Sequence, residues 1–295
     1  VPETALRHLV IVNPSAGRGR ATKLVPEMRA AFERHQLDHE VIVSRSAEHA
    51  LAVAADAGDA GKTVVVMSGD GLIGQVGGML AGTEATFGVL AGGRGNDFIR
   101  AMGIPEPIEE AVAMIAERNV RPIDVGEVNG HRFLCIASCG FDSDANRIAN
   151  ETHFLSGGIV YAYAALRALI AWTPAKFTIT SDGDVREVIG FSVCVGNGTS
   201  YGGGMTITPA AQMDDGLLDI VTSSETGKLR FLANLPKVFK GAHVDEPEVD
   251  YWTAGEVTIE ADRPFEVFAD GDHQTDLPAT LRVLPAALRV IAPSK

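Results

Sequence analysis

The sequence predicts an α/β protein in two parts: an amino-terminal α/β domain built on a parallel sheet, followed by a mostly antiparallel β-rich domain. Two observations carry this. Up to about Asp124, apolar β-branched runs alternate with segments whose apolar residues recur at helical spacing, as in strands joined by crossover helices. Beyond Asp124 the helical rhythm gives way to strand-like runs and hairpin turns. The division is therefore drawn as residues 1–124 and 125–284, with 285–295 returning to pack on the first domain.

Each element follows from its residues. HLVIV (His8 to Val12) is a strand and NPSAGRG a loop; Ala21 to His35 carries Leu24, Met28, Ala31 and Phe32 at helical intervals. HEVIV, the helix Ala47 to Ala57, the strand TVVVM, the helix Leu72 to Leu80 and the strand TFGVL repeat the scheme. In the second domain, EVNGHRFLCIASC is strand-forming, and KFTITSDGDVREVIGFSVCVGNG is a hairpin turning at Asp182-Gly183. Further strands are expected at Leu217 to Thr222, Glu256 to Ala261, Phe265 to Ala269 and Leu281 to Leu284.

Composition narrows the function. With 295 residues, 46% hydrophobic and 21% charged, the chain is an ordinary globular protein. Its formal charge of -13 argues against nucleic acid as a partner, since neutralising many phosphates takes a basic surface. No apolar run reaches the ~20 residues of a transmembrane helix. The strongest candidate, Ile159 to Trp172, is short and carries Arg167. No signal peptide pattern is seen at the amino terminus. Cys135, Cys139 and Cys194 are odd in number and form no CxxC pair, so they read as reduced, buried residues of a cytoplasmic protein.

Three loops carry the chemistry: NPSAGRG (Asn13 to Gly19), SGDG (Ser68 to Gly71) and AGGRGND (Ala91 to Asp97). Each follows an expected strand and precedes an expected helix, so all three converge on one sheet edge, where glycines and helix N-termini suit a polyphosphate. The motif GxxxxGK[ST] is absent. GxGxxG is formally present as Gly69, Gly71 and Gly74, but the acid a dinucleotide site needs about 20 residues on would fall near Val89 to Ala91, where there is none. A carboxylate at Asp70 would also repel a pyrophosphate in that turn unless a cation intervened. Mg2+, held by one or two carboxylates plus phosphate oxygens, fills that role, so the turn points to a metal-nucleotide complex.

In order, NPSAG, SGDGLIGQV, GGRGNDFIRAMG, IDVGEVNG, CGFDSDANR, MDDGLLD and FADGD resemble the motifs of the diacylglycerol kinase catalytic-domain family, which includes sphingosine kinases and bacterial lipid kinases. The resemblance implies a nucleotide-binding domain like those of NAD kinase and phosphofructokinase, a carboxy-terminal β-sandwich domain, ATP and Mg2+ as cofactors, and phosphorylation of a lipid hydroxyl at the membrane surface. It implies that Asn13, Ser15, Gly17, Ser44, Ser68, Gly69, Gly71, Leu72, Gly74, Arg94 and Asn96 line the nucleotide site. Asp70 and Asp97 would orient the Mg2+-triphosphate, and Asp272 would stand at the general-base position. MDDGLLD resembles a structural Mg2+ site with Asp215, the carbonyl of Leu217 and Gln212 as ligands.

The chain also departs from the family pattern. Leu72 stands where a threonine is usual, Gly74-Gln75 replaces Asn-Glu, Arg94 replaces a threonine, and Asp272 replaces a glutamate. Arg94 offers a charged contact to phosphate in return. Leu72 and the shorter Asp272 leave open a nucleotide- or lipid-binding protein that has lost catalysis, beside a kinase of diacylglycerol, of a sphingoid lipid, or of a soluble acceptor such as NAD.

KLRFLANLPKVFK (Lys228 to Lys240) is a basic island with apolar residues at helical spacing, suited either to an anionic membrane surface or to packing on its own domain, with Pro236 interrupting the helix. GGIVYAYAALRALIAW (Gly157 to Trp172) is apolar enough to flank an acyl chain. Peripheral attachment at the inner membrane face and a homodimer remain open at this point.

Overall fold

The structure, a computed structural model, describes residues 8–152, 167–169 and 172–294. The chain forms two compact units: one contains the residues up to Val125 together with 213–215 and those from Leu284 on, the other 126–212 and 216–283.

The first unit is built on four parallel strands, β1 (His8–Val12), β2 (His39–Val43), β3 (Thr63–Ser68) and β4 (Thr86–Ala91), in the spatial order β4-β3-β1-β2. The end of the last strand joins this sheet parallel to β4, Arg289 opposite Thr86. Val10, Ile11, Val12 and Val64 to Met67 are fully buried, as expected of a sheet covered on both faces. The connecting helices are α1 (Arg20–Arg34), α2 (Ala47–Asp59), α3 (Asp70–Leu80), α4 (Asp97–Ala101) and α5 (Ile108–Glu117). Met28, Ala31 and Phe32 of α1 are buried on one stripe, as their spacing predicts.

Helix α3 begins at Asp70, two residues ahead of the expected Leu72, so Asp70 and Gly71 form its first turn rather than a loop. Helix α5, started by Pro107, was not foreseen.

Strand β5 (Val120–Val128) leads into the second unit, where its end pairs antiparallel with β6 (His131–Phe133). The expected hairpin is β8 (Ala175–Ser181) and β9 (Asp184–Gly196), turning through Asp182 and Gly183 at φ 47° and 96°. Both residues at positive φ make the tight turn that matches strand twist. Strand β7 (Ile136–Gly140) pairs with the last part of β9, and β10 (Leu218–Ser224) pairs with the same part, all antiparallel. Beyond these, β11 (Val249–Ala254) pairs with β10, β12 (Glu256–Ala261) with β8, β13 (Glu266–Ala269) with β7, and β14 (Asp272–Asp276) with β13. Strand β15 (Ala279–Ile291) starts against β12.

Among the described residues, this unit includes the helices α6 (Phe141–Glu151) and α7 (Lys228–Val238). Phe141, Trp172, Phe177, Phe191 and Phe265 form an aromatic core, onto which Phe231 of α7 stacks 4.3 Å from Phe191.

Two expectations are corrected here, and one strand had no counterpart among them. The strand placed at Leu281 to Leu284 runs from Ala279 to Ile291 through Pro285, with a local bend at Ala286 (φ 50°), whose N–H is taken by Asp124 Oδ1 at 2.7 Å. β14, of sequence DHQTD, has no apolar alternation because it is a hairpin edge. Pro236 does not interrupt α7: it lies in the last turn, where its missing N–H costs only one hydrogen bond before the helix ends. Most of Gly157 to Trp172 lies outside the described residues; Trp172 itself is buried in the aromatic core.

Candidate functional site

The sheet order β4-β3-β1-β2 fixes where a ligand can bind. The chain leaves β1 toward β2 on one side and leaves β3 toward β4 on the other, so a crevice opens beyond the carboxyl ends of β1 and β3. Asn13 and Ser68 meet there, the Asn13 Nδ2 donating to Ser68 Oγ at 3.1 Å. Asn13 Oδ1 accepts the Ser15 N–H at 3.0 Å, which closes the first loop on itself. The Ser44 N–H is bonded to the Val12 carbonyl, and Ser44 is buried at the end of β2.

Glycine is required where the loops touch. A β-carbon on Gly17, at φ 58°, would stand 2.6 Å from the Gly92 carbonyl oxygen, and one on Gly93 would stand 2.5 Å from the Cα of Gly69. The Gly92 N–H bonds to the Ser68 carbonyl, and Arg20 Nη1 donates to the Gly93 carbonyl at 3.3 Å. The three glycine loops foreseen from sequence are thus in mutual contact along one edge. Arg94 is exposed beside them, and Gly71 is half-buried. Leu72 and Gly74 are buried in the first unit.

Asp70 links the second loop to the third. Its Oδ1 accepts the Phe98 N–H at 3.2 Å at the start of α4, where unpaired N–H groups and the helix dipole favour an anion. Its carboxyl is nonetheless held above its ordinary range, first by burial and next by the charge of Asp97, with the N–H groups of Phe98, Asp97 and Asn96 opposing. Asp97 is buried, and Arg100 Nη2 donates to its Oδ1 at 2.5 Å. Asn96 sits at φ 54°, is buried, and leaves its Oδ1 without a hydrogen-bond partner. A carboxyl raised by burial and by the neighbouring charge of Asp97, beside an unsatisfied buried oxygen, fits a divalent cation, which would relieve the repulsion.

Asp272 lies in the second unit, exposed at the start of β14. The turn before it is built by Asp270 and Gly271, at φ 50° and 92°. Asp270 accepts the N–H groups of Leu134, Cys135 and Ile136 at 2.7, 2.9 and 3.3 Å, and its own N–H bonds back to the Ile136 carbonyl. Sequence reasoning missed Asp270. The signal was the pair of acids in FADGD, of which the first occupies a position with positive φ that Asp tolerates. His273 is exposed and pairs with Asp276 at 3.2 Å.

Gln212 and Asp215 are exposed and Leu217 is partly buried; this set contains a single carboxylate. Among the described residues no group of three or more His, Cys, Asp or Glu is placed to hold a metal ion. Cys135, Cys139 and Cys194 are free thiols, all buried.

The second unit also holds a partly open, mostly apolar pocket between the β9-β10 surface and α7. Phe231, Leu235 and Val238 of α7 form one wall, Cys194 and Val221 another. His243 is buried there, its Nε2 donating to the Ile207 carbonyl at 3.0 Å, with Nδ1 unpartnered.

Comparison with known proteins agrees with this layout. Residues 7–128 match the diacylglycerol kinase catalytic domain, and residues 135–292 match the YegS C-terminal NAD kinase beta sandwich-like domain. The chain is 35% identical over 293 residues to a diacylglycerol kinase of Mycobacterium tuberculosis, covering 96% of this chain and 94% of that protein. It is 27% identical over 303 residues to a diacylglycerol kinase of Bacillus subtilis, covering 98% and 97%. The crystal structure of a diacylglycerol kinase from Bacillus anthracis superposes with a TM-score of 0.72 at 26% identity, over 98% of this chain and 97% of that one. With the parallel sheet, the converging glycine loops and the antiparallel second unit all matched, the chain belongs to the diacylglycerol kinase catalytic-domain family.

Proposed function

We propose that this protein is an ATP-dependent lipid kinase that phosphorylates the free hydroxyl of diacylglycerol to give phosphatidic acid. The observation that carries the reading is the half-buried Asp70 beside the buried Asp97, set among three glycine loops at the carboxyl edge of the parallel strands. Phosphoryl transfer is catalysed mainly by positioning and charge neutralisation, and this edge supplies backbone N–H groups, a guanidinium and two carboxylates for that work.

The N–H groups of the loops starting at Asn13 and Gly69, with Arg94, hold the phosphates. Ser15, Ser44 and Ser68 offer hydroxyls to the nucleotide, and Asn96 a carbonyl oxygen. Asp70 and Asp97 would hold Mg2+, which when bound would supply charge neutralisation for the phosphates. Asp272, exposed on its hairpin, accepts the proton from the acceptor hydroxyl. The pocket beneath α7 favours an acceptor with acyl chains over a soluble one such as NAD, since most of its lining surface is apolar despite Asn234, His243 and Glu248 in its walls.

Radiolabelled ATP, Mg2+ and diacylglycerol in mixed micelles should yield a labelled product that migrates as phosphatidic acid, and Asp97→Asn should abolish it. Sphingoid lipids and NAD in parallel reactions test the acceptor. Normal turnover in Asp97→Asn, or preferential labelling of NAD, overturns the reading.

A further inference from the structure

Helix α7 presents an apolar stripe to solvent as well as to its own domain. Its inner residues Phe231, Leu235 and Val238 line the cavity. Along the opposite side Leu229, Ala233 and Pro236, at i, i+4 and i+7, are all exposed, and Phe239 follows just after the last turn. Leu229 is 84% exposed and Phe239 57% exposed. An ordinary surface helix would place its polar residues here. In α7 they are turned elsewhere: Arg230 forms a two-pronged pair with Glu248 at 2.7 and 2.8 Å, Asn234 donates to the same carboxylate, and Lys237 pairs with Glu246 at 2.5 Å. The acids Glu246 and Glu248 are thus engaged beside the helix, and none stands on the outer stripe. Lys228 and Lys240 are exposed at its two ends.

We propose that this outer stripe of α7 is the surface by which the protein docks on an anionic phospholipid bilayer, Leu229 and Phe239 entering the acyl boundary and Lys228 and Lys240 resting on the headgroups. The inference rests on the lipid-acceptor reading above, which requires access to a substrate held in a bilayer; among the described residues no helix is long and apolar enough to cross one. Charge supports this occupant. The chain carries -13 overall, so an anionic surface repels it except where cations lie within about 10 Å, the screening length at 0.1 M salt. Lys240, exposed beside Phe239 at the end of the stripe, meets that condition. An apolar face edged by cations is the form in which helices lie in the membrane interface.

The test is vesicle flotation of the full chain with phosphatidylcholine alone and with equal parts phosphatidylglycerol and phosphatidylcholine. Binding should require phosphatidylglycerol and weaken with salt. Leu229→Ser with Phe239→Ser should lower the partition coefficient roughly tenfold or more, and Lys228→Glu with Lys240→Glu should remove the phosphatidylglycerol preference. In Leu229→Trp, brominated lipid should quench the new fluorescence. Flotation unchanged in the serine variant, an unquenched Trp on bound protein, or a dimer in solution that the serine variant dissociates would each overturn the proposal. Phosphorylation of water-dispersed dioctanoylglycerol should be unaffected by the serine substitutions; a matching loss there would place these residues in the acceptor site and overturn docking. Absence of phosphorylation with every acceptor, while flotation behaves as expected, would count against the lipid-kinase reading alone.

Discussion

Asp70 Oδ1 accepts the backbone N–H of Phe98 at 3.2 Å, so the acid of the second glycine loop also caps the helix that follows the third. One carboxylate therefore ties two glycine loops together while being held above its ordinary pKa by burial and by Asp97.

Substituting Asp70→Asn separates its two tasks. The amide oxygen still accepts the Phe98 N–H, but the charge proposed to hold Mg2+ is gone, so lipid phosphorylation should fall at least a hundredfold. The raised folded-state pKa means the unfolded chain ionises first as pH rises. Asp70 thus favours folding in acid and opposes it once ionised above its folded-state pKa. At pH 7 the asparagine variant should melt at or above the temperature of the parent, measured by circular dichroism. A large drop would show that the charge itself stabilises the cap.

Gly93→Ala should fail for a steric reason. Its β-carbon would lie 2.5 Å from the Cα of Gly69 and 3.1 Å from Asn96 Oδ1, and backbone cannot swing aside as a side chain can. A loss of about 1–3 kcal/mol in stability is expected from such overpacking. Nucleotide binding, followed by calorimetry, should weaken more than stability does, because the displaced groups are those proposed to hold the phosphates.

Asp270→Ala leaves the N–H groups of Leu134, Cys135 and Ile136 without their shared acceptor. Each buried, unsatisfied donor costs about 1–3 kcal/mol where water does not replace the acceptor. The hairpin carrying Asp272 loses its anchor. We expect a lower denaturation midpoint and a fall in kcat with little change in KM for ATP, whereas Asp270→Asn should recover part of both.

Acid should destabilise both units through buried imidazoles. Burial lowers the pKa of His8, whose Nδ1 bonds the Asp38 carbonyl, and likewise that of His243 beside Ile207. A depressed imidazole pKa means the unfolded chain takes up the proton first, at about pH 6.5. Stability is therefore unaffected above that pH and falls as pH drops from there to the folded-state values. Thermal melts between pH 7.5 and 5 should show the decline, and His8→Gln should flatten its share.

The local sequence already contained the strand and helix alternation of the first unit and the three glycine loops. Parallel strands buried on both faces must be continuous apolar runs, and a strand-to-helix turn at the sheet edge needs glycine. The Asp182-Gly183 hairpin was legible for the same kind of reason: positive φ at two successive residues restricts their identity. Asp70 stood out because an acid inside a glycine turn suited to phosphate is electrostatically anomalous, whereas Asp97 was named only by the resemblance to the kinase family.

What local pattern could not decide was pairing. Nothing near Asp270 announces that its acceptors will be taken by residues more than 130 positions earlier, and an edge strand such as DHQTD has no buried face to leave an apolar alternation. The continuation of α7 through Pro236 and the turning of Arg230, Asn234 and Lys237 toward Glu246 and Glu248 depend on neighbours distant in the chain. Periodicity marked that helix as amphipathic, but only the tertiary fold decided which face is covered. Burial is a property of the folded whole, whereas backbone preference and glycine freedom belong to each residue alone.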